Sequence, residues 1–206
     1  MGGAATRVLE WASLHSQAKH VPMRVEVHVH ADIPILEGIS RQQIEQALAP
    51  WLEYLDAETL ADVKSLEQDE PGLRYDEKDL MLYICWTGEV GRSFPAVLEA
   101  ALERLGPYCY EAAEVDLTVY HDKGEQESRL LFVGPTAQAI HAAQRRAMIE
   151  DVTALLERHF DKERIAEVTA LLNQLFDRDW KEKASRPGKA ERAFETYTRP
   201  ARKNLH

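Results

Sequence analysis

Residues 23–33, MRVEVHVHADI, alternate without interruption. Val25, Val27, Val29, Ala31 and Ile33 fall on one side; Arg24, Glu26, His28, His30 and Asp32 fall on the other. A period of two over this length predicts a β-strand with one apolar face. Pro34 and Gly38 end it, and the period changes. Ser40 with Gln43 three residues on has the form of a capping box. Ile44, Ala47, Leu48, Trp51, Leu52 and Leu55 then recur at helical spacing. Residues 63–68 read either as a short edge strand or as helix, and Glu70-Pro71-Gly72 is a turn signal. Residues 80–86, LMLYICW, are the most apolar run and predict a central strand. Gly88 and Gly91 follow. Ser93 is then an N-cap, with Pro95 in the first turn of a helix that carries Phe94, Val97, Leu98, Ala101, Leu102 and Leu105. Gly106-Pro107 stops it.

The second half repeats both periods. Val115, Leu117 and Val119 alternate with Asp116, Thr118 and Tyr120, which predicts another strand. Asp122-Lys123-Gly124 is a hairpin turn, and residues 129–133 return as a strand. Pro135-Thr136 opens a long helix carrying Ile140, Ala147, Met148, Val152, Leu155, Leu156 and Phe160. A break near Asp161 precedes a second helix with Ile165, Val168, Leu172, Leu175 and Phe176. So short a joint predicts an antiparallel helical hairpin.

With 63–68 as a strand, the element order is β-α-β-β-α-β, then one more strand and two helices. That order resembles the ferredoxin-like split βαβ arrangement over roughly residues 23–122. In that fold the first and third strands are central, and here those two are the most apolar. The expected class is α+β: a ferredoxin-like antiparallel sheet with an extra β-hairpin strand and a C-terminal helical hairpin. The expected divisions are an N-terminal extension with a short helix (1–22), a sheet domain (23–135), a helical hairpin packed on it (136–182) and a basic, flexible tail (183–206). Met23 is a second candidate start. The fold hosts many unrelated activities, so no function follows from it.

Composition narrows the classes. At 206 residues with 45% apolar residues, the chain is an ordinary globular sequence with enough length for a sizeable core. Its net charge of -10 argues against a general nucleic-acid coat. The charge is uneven, however. Residues 181–206 hold eight Lys or Arg against three Glu, a net +5, which leaves -15 on residues 1–180. Nucleic acid is therefore expected as a partner only through the tail. Two cysteines, Cys85 and Cys109, are too few for a disulfide framework. No apolar leader and no spanning segment is visible, so a cytoplasmic protein without a membrane role is expected.

Chemistry-bearing residues concentrate on the first strand. His28 and His30 project from one face, about 7 Å apart at Cα, a spacing at which two imidazoles can share Zn²⁺. If the strand through Asp116 lies antiparallel beside them, Glu114, Asp116 and Tyr120 join Glu26, His28 and His30 on an open face. Such a cluster admits a metal or general acid–base chemistry. The simpler reading is a wet sheet face, which is polar anyway. The HxH spacing also resembles the first metal motif of amidohydrolase-type barrels. The other histidines are scattered and the chain is short for such a barrel, so that family does not carry over. Gly88, Gly91, Arg92 and Ser93 form a candidate anion-binding turn before a helix, without the GKS/T ending of a P-loop. No nucleophile motif appears.

The catalytic candidates do not converge on a motif, while two helix stripes need partners. The expected function is therefore a non-enzymatic binding or assembly module that self-associates, with a homo-oligomer or protein partner. The alternatives are a small metal-dependent hydrolase built on His28 and His30, and a nucleic-acid-associated protein that uses the tail.

Overall fold

The computed structural model describes residues 24–121, 124–184 and 194–197. It is a mixed α+β fold with an open antiparallel sheet. The strands are β1 (Val25–Pro34), β2 (Gly72–Asp76), β3 (Met81–Val90), β4 (Ala113–Tyr120) and β5 (Gln126–Val133), with a short β6 (Phe194–Tyr197) beside β5. Their order in the sheet is β2-β3-β1-β4-β5-β6, and every neighbouring pair is antiparallel. The expected extension 1–22 and most of the tail 183–206 lie outside the described residues.

The alternation of β1 determines both faces of the sheet. Val27, Val29, Ala31 and Ile33 are buried, while Glu26, His30 and Asp32 are exposed. The apolar face packs on α1 (Arg41–Ala47), α2 (Ala49–Tyr54) and α3 (Phe94–Leu105), which contribute Ile44, Leu48, Trp51, Leu52, Phe94, Leu98 and Leu102 to one core. The capping box forms as read: the Gln43 backbone N–H donates to Ser40 Oγ, and the Gln43 side chain accepts from the Ser40 backbone. The helix predicted over residues 40–55 is two helices instead. They break at Leu48, and Pro50 sits in the first turn of α2, where its missing N–H costs nothing. The stripe survives because Leu48 itself is buried at the break.

Residues 63–68 are neither strand nor helix. The edge strand is β2, which begins at Gly72, inside the Glu70-Pro71-Gly72 run that reads as a turn signal. Gly72 has φ 72°, and a Cβ there would stand 2.4 Å from the Val63 carbonyl oxygen. Only glycine permits that approach, and it folds segment 63–70 back alongside the end of β3.

α4 (Ala137–Leu156) and α5 (Lys162–Ala184) form the expected antiparallel hairpin. Arg145 pairs with Asp177 at 2.7 Å, and the His141 ring lies between Phe176 and Trp180 with Asp179 at 3.8 Å. α4 covers the second face of the sheet at its β4–β5–β6 end. Leu130 and Phe132 face it there and form a small core with Ile140, Ala143 and Ala147. β5 is thus buried on both faces at its C-terminal end, since Leu131 and Val133 belong to the main core. Among the described residues, the polar face of β1 and β3 is covered only where segment 63–70 buries Thr87. Among the described residues, no helix is long and apolar enough to cross a membrane.

Candidate functional site

The open face carries the polar residues of three strands in register. Glu26 stands opposite Tyr120, His28 opposite Thr118 and His30 opposite Asp116. Strand parity predicts these residues on one face, and the pairing brings them together. Glu114 lies further along, opposite Phe132 on β5 and away from the histidines. The His28 and His30 rings are stacked, with centroids 6.3 Å apart.

The other side of β1 supplies what the sequence reading missed. β3 places Thr87 opposite His28 and Cys85 opposite His30. The returning segment then adds Ser65 and Glu70. His28 Nδ1 lies 2.9 Å from Thr87 Oγ1 and 3.1 Å from Glu70 Oε1. The Thr87 hydroxyl donates to Glu70 Oε1 at 3.1 Å, and the Ser65 hydroxyl donates to the other carboxylate oxygen. The Thr87 backbone N–H donates to Ser65 Oγ at 2.8 Å. Two further bonds hold the segment: Leu66 N–H to the Thr87 carbonyl at 2.9 Å and Trp86 Nε1–H to the Lys64 carbonyl at 3.0 Å. Both carboxylate oxygens of Glu70 are therefore fixed. The site is half-buried, with the His28 side chain 24% exposed and that of Glu70 16%.

Cys85 borders this network. Its sulfur, His28 and Glu70 each offer a ligand atom, and the three atoms lie within 4.8 Å of one another. Loss of hydration pushes the Cys85 thiol up, and the carboxylates of Glu70 and Asp32 push it further. On the neighbouring β2, Arg74 stands opposite Tyr83, two positions from Cys85 along the register, and its guanidinium sits over the Tyr83 ring at 4.9 Å.

The proposed anion turn is only partly a turn. Gly88 lies inside β3, and the loop proper is Gly91, Arg92 and Ser93. The Gly91 N–H donates to Tyr54 Oη at 2.7 Å, so it is already engaged. Ser93 occupies the N-cap position of α3, but its side chain makes no capping hydrogen bond. Of these four, Gly88 belongs to the strand ladder and Gly91 has its N–H engaged.

Cys109 belongs to the core rather than to a site. Burial pushes its thiol up to about 12. At pH 8 only roughly one part in 10⁴ is then thiolate, and the thiolate is the reactive form. Peptide mapping after iodoacetamide treatment should show Cys109 modified at least 100-fold more slowly in the native protein than in urea. Equal rates would contradict the burial. The linked stability is intact below the unfolded thiol's value and is lost as pH rises from there through about 12.

A second feature lies on the hairpin. Val168, Leu171 and Leu175 follow one another at helical spacing on α5 and are exposed, Leu171 by 56%. Ile165, Leu172 and Phe176 are more buried, and Phe176 reaches His141 of α4. Leu155 and Phe160, near the helical joint, are exposed as well.

No curated protein and no solved structure matches the chain. A family model described as a family of unknown function (DUF6806) matches residues 25–177, which span all of β1 through β5 and most of the hairpin, and the chain belongs to that family.

Proposed function

We propose that this protein is a non-enzymatic binding or assembly module, and that it self-associates through the free flank of α5. The carrying observation is the exposed stripe Val168, Leu171 and Leu175. α5 already buries Ile165. A second apolar stripe on the same helix is not needed to hold the hairpin. Large exposed apolar patches on folded chains mark contact surfaces. Burying a leucine fully is worth about 1.5–3 kcal/mol, so a stripe repeated on two copies can support a micromolar complex. The strand order β2-β3-β1-β4 supports the ferredoxin-like reading of residues 23–122, with the hairpin 136–182 as its assembly appendage. A cytoplasmic location fits the two free thiols.

Light scattering on the eluted full chain tests this. The expected result is an oligomer at micromolar concentration. Leu171→Glu combined with Leu175→Glu is expected to weaken it at least 100-fold with unchanged circular dichroism. A strictly monomeric native chain, or an oligomer indifferent to both substitutions, would overturn the reading.

A further inference from the structure

We propose that the open sheet face binds one divalent cation of zinc-like character, with His28 Nδ1, Glu70 Oε1 and Cys85 Sγ as its protein ligands. This is a site separate from the α5 flank. The three ligand types are those that zinc takes, and they come from three segments: β1, the 63–70 return and β3.

The geometry suits the ion. Two nitrogen or oxygen ligands of a tetrahedral zinc stand about 3.3 Å apart, given bond lengths of about 2.0–2.2 Å. Nδ1 and Oε1 are already 3.1 Å apart. The sulfur lies within 4.8 Å of a ring nitrogen of His28 and a carboxylate oxygen of Glu70. Against a tetrahedral S···N/O separation of about 3.5 Å, it must close by at most about 1.3 Å, a movement within reach of its own side-chain torsion. Glu70 needs no ordering, because the Ser65 and Thr87 hydroxyls hold both its oxygens. Such outer hydrogen bonds are what orient a carboxylate ligand. His30 stacks beside the site, but its ring nitrogens are not among the atoms that converge.

Charge gives an independent argument. β1, β3 and β4 contain no Lys or Arg at all. Their open face instead carries Glu26, Asp32, Glu89 and Asp116 around Glu70, against Arg74 on the adjoining β2. That field favours a cation over the sheet.

Binding is balanced in protons. The Sγ–metal bond forms as the Cys85 thiol releases its proton to solvent. Thr87 directs its hydroxyl proton to Glu70, so His28 Nδ1–H is the donor toward both in the absence of the ion. On binding, that proton leaves through solvent and the neutral ring keeps its proton on Nε2, which frees the Nδ1 lone pair for the ion. The thiolate and the Glu70 carboxylate together neutralise the divalent charge. Three protein ligands leave one coordination position for water.

Cobalt titration of the full chain under reducing conditions tests the proposal. One equivalent of Co²⁺ should produce near-ultraviolet thiolate-to-metal charge-transfer absorption. Cys85→Ser should abolish that band. Glu70→Gln and His28→Gln, each nearly isosteric, should weaken Co²⁺ and Zn²⁺ binding at least tenfold with unchanged circular dichroism. In the native chain one equivalent of Zn²⁺ should protect Cys85 from alkylation. Absence of stoichiometric binding would overturn the proposal. So would a band that persists in Cys85→Ser, or affinities that ignore Glu70→Gln. The protection readout needs no variant and stands even where a substitution disturbs folding.

Discussion

Gly88→Ala is expected to destabilise the protein by about 2–4 kcal/mol and to detach segment 64–70 from β3. The residue has no side chain because its neighbour uses the space. A Cβ at Gly88 would lie 2.2 Å from Trp86 Cζ2 and 2.5 Å from Cη2. The indole runs along its own strand over Gly88, and its N–H then reaches the Lys64 carbonyl at 3.0 Å. It cannot retreat freely, because it also meets Trp51 and Phe94 at ring-centroid distances of 5.6 Å. Adding a methyl must displace the ring and with it the bond that anchors the returning segment. Ser65 and Glu70 ride on that segment, so the open-face network should loosen too. Urea unfolding should show a lower midpoint, and tryptophan emission should shift. Trp86→Phe removes the colliding ring edge. In the Gly88→Ala/Trp86→Phe double variant the two costs should fall short of their sum by about 1 kcal/mol or more. Simple additivity would show that the collision is not the cause.

The same two residues show where the sequence was readable and where it was not. Periodicity locates β1, β4 and the helical stripes because one burial face repeats every two or every 3.6 residues, and β3 is located by its continuous apolar run. The Ser40/Gln43 cap was legible because its chemistry is local. β2 was misplaced because segment 63–70 and β2 carry no alternation strong enough to separate them. Their arrangement depends on the close approach at Gly72. Gly88 read as a loop residue because a glycine that makes room for a tryptophan two positions away leaves the same letter as one that turns the chain.

The open face was legible only in part, for a related reason. Strand parity put Glu26, His28, His30, Asp116 and Tyr120 on one side, and the register places them there. Cys85 and Thr87 share that parity on β3. Residues 80–86 looked uniformly apolar, so neither face of that strand stood out as polar. Glu70 could not be found by parity at all. It reaches His28 from an irregular segment, across 42 positions of sequence that only the folded return brings together. A carboxylate flanked by Pro71 and Gly72 reads as a turn residue, and its fixed hydrogen bonds appear only in three dimensions.

Trp51→Ala should cost about 3–5 kcal/mol, enough to consume much of a typical domain's stability. Trp51 is fully buried at the centre of an aromatic group. Its ring meets Trp86 edge-on at 5.6 Å and Phe94 at 5.9 Å, and Phe94 in turn meets Tyr54 at 5.6 Å. Truncation leaves a large cavity beneath β3 and frees Trp86, whose indole holds the Lys64 carbonyl. Trp51→Phe should behave quite differently. Among the described residues, the Trp51 indole N–H has no hydrogen-bond partner. Burying an unpaired donor costs about 1–3 kcal/mol, and phenylalanine removes that donor while it keeps an aromatic ring. The volume lost works the other way. The two effects should nearly cancel, leaving a net change of about 1 kcal/mol or less. Denaturant midpoints of the two variants, measured against the native chain, decide it. A Trp51→Phe cost close to that of Trp51→Ala would mean that shape at this position outweighs the unpaired donor, and that the aromatic group tolerates no smaller ring.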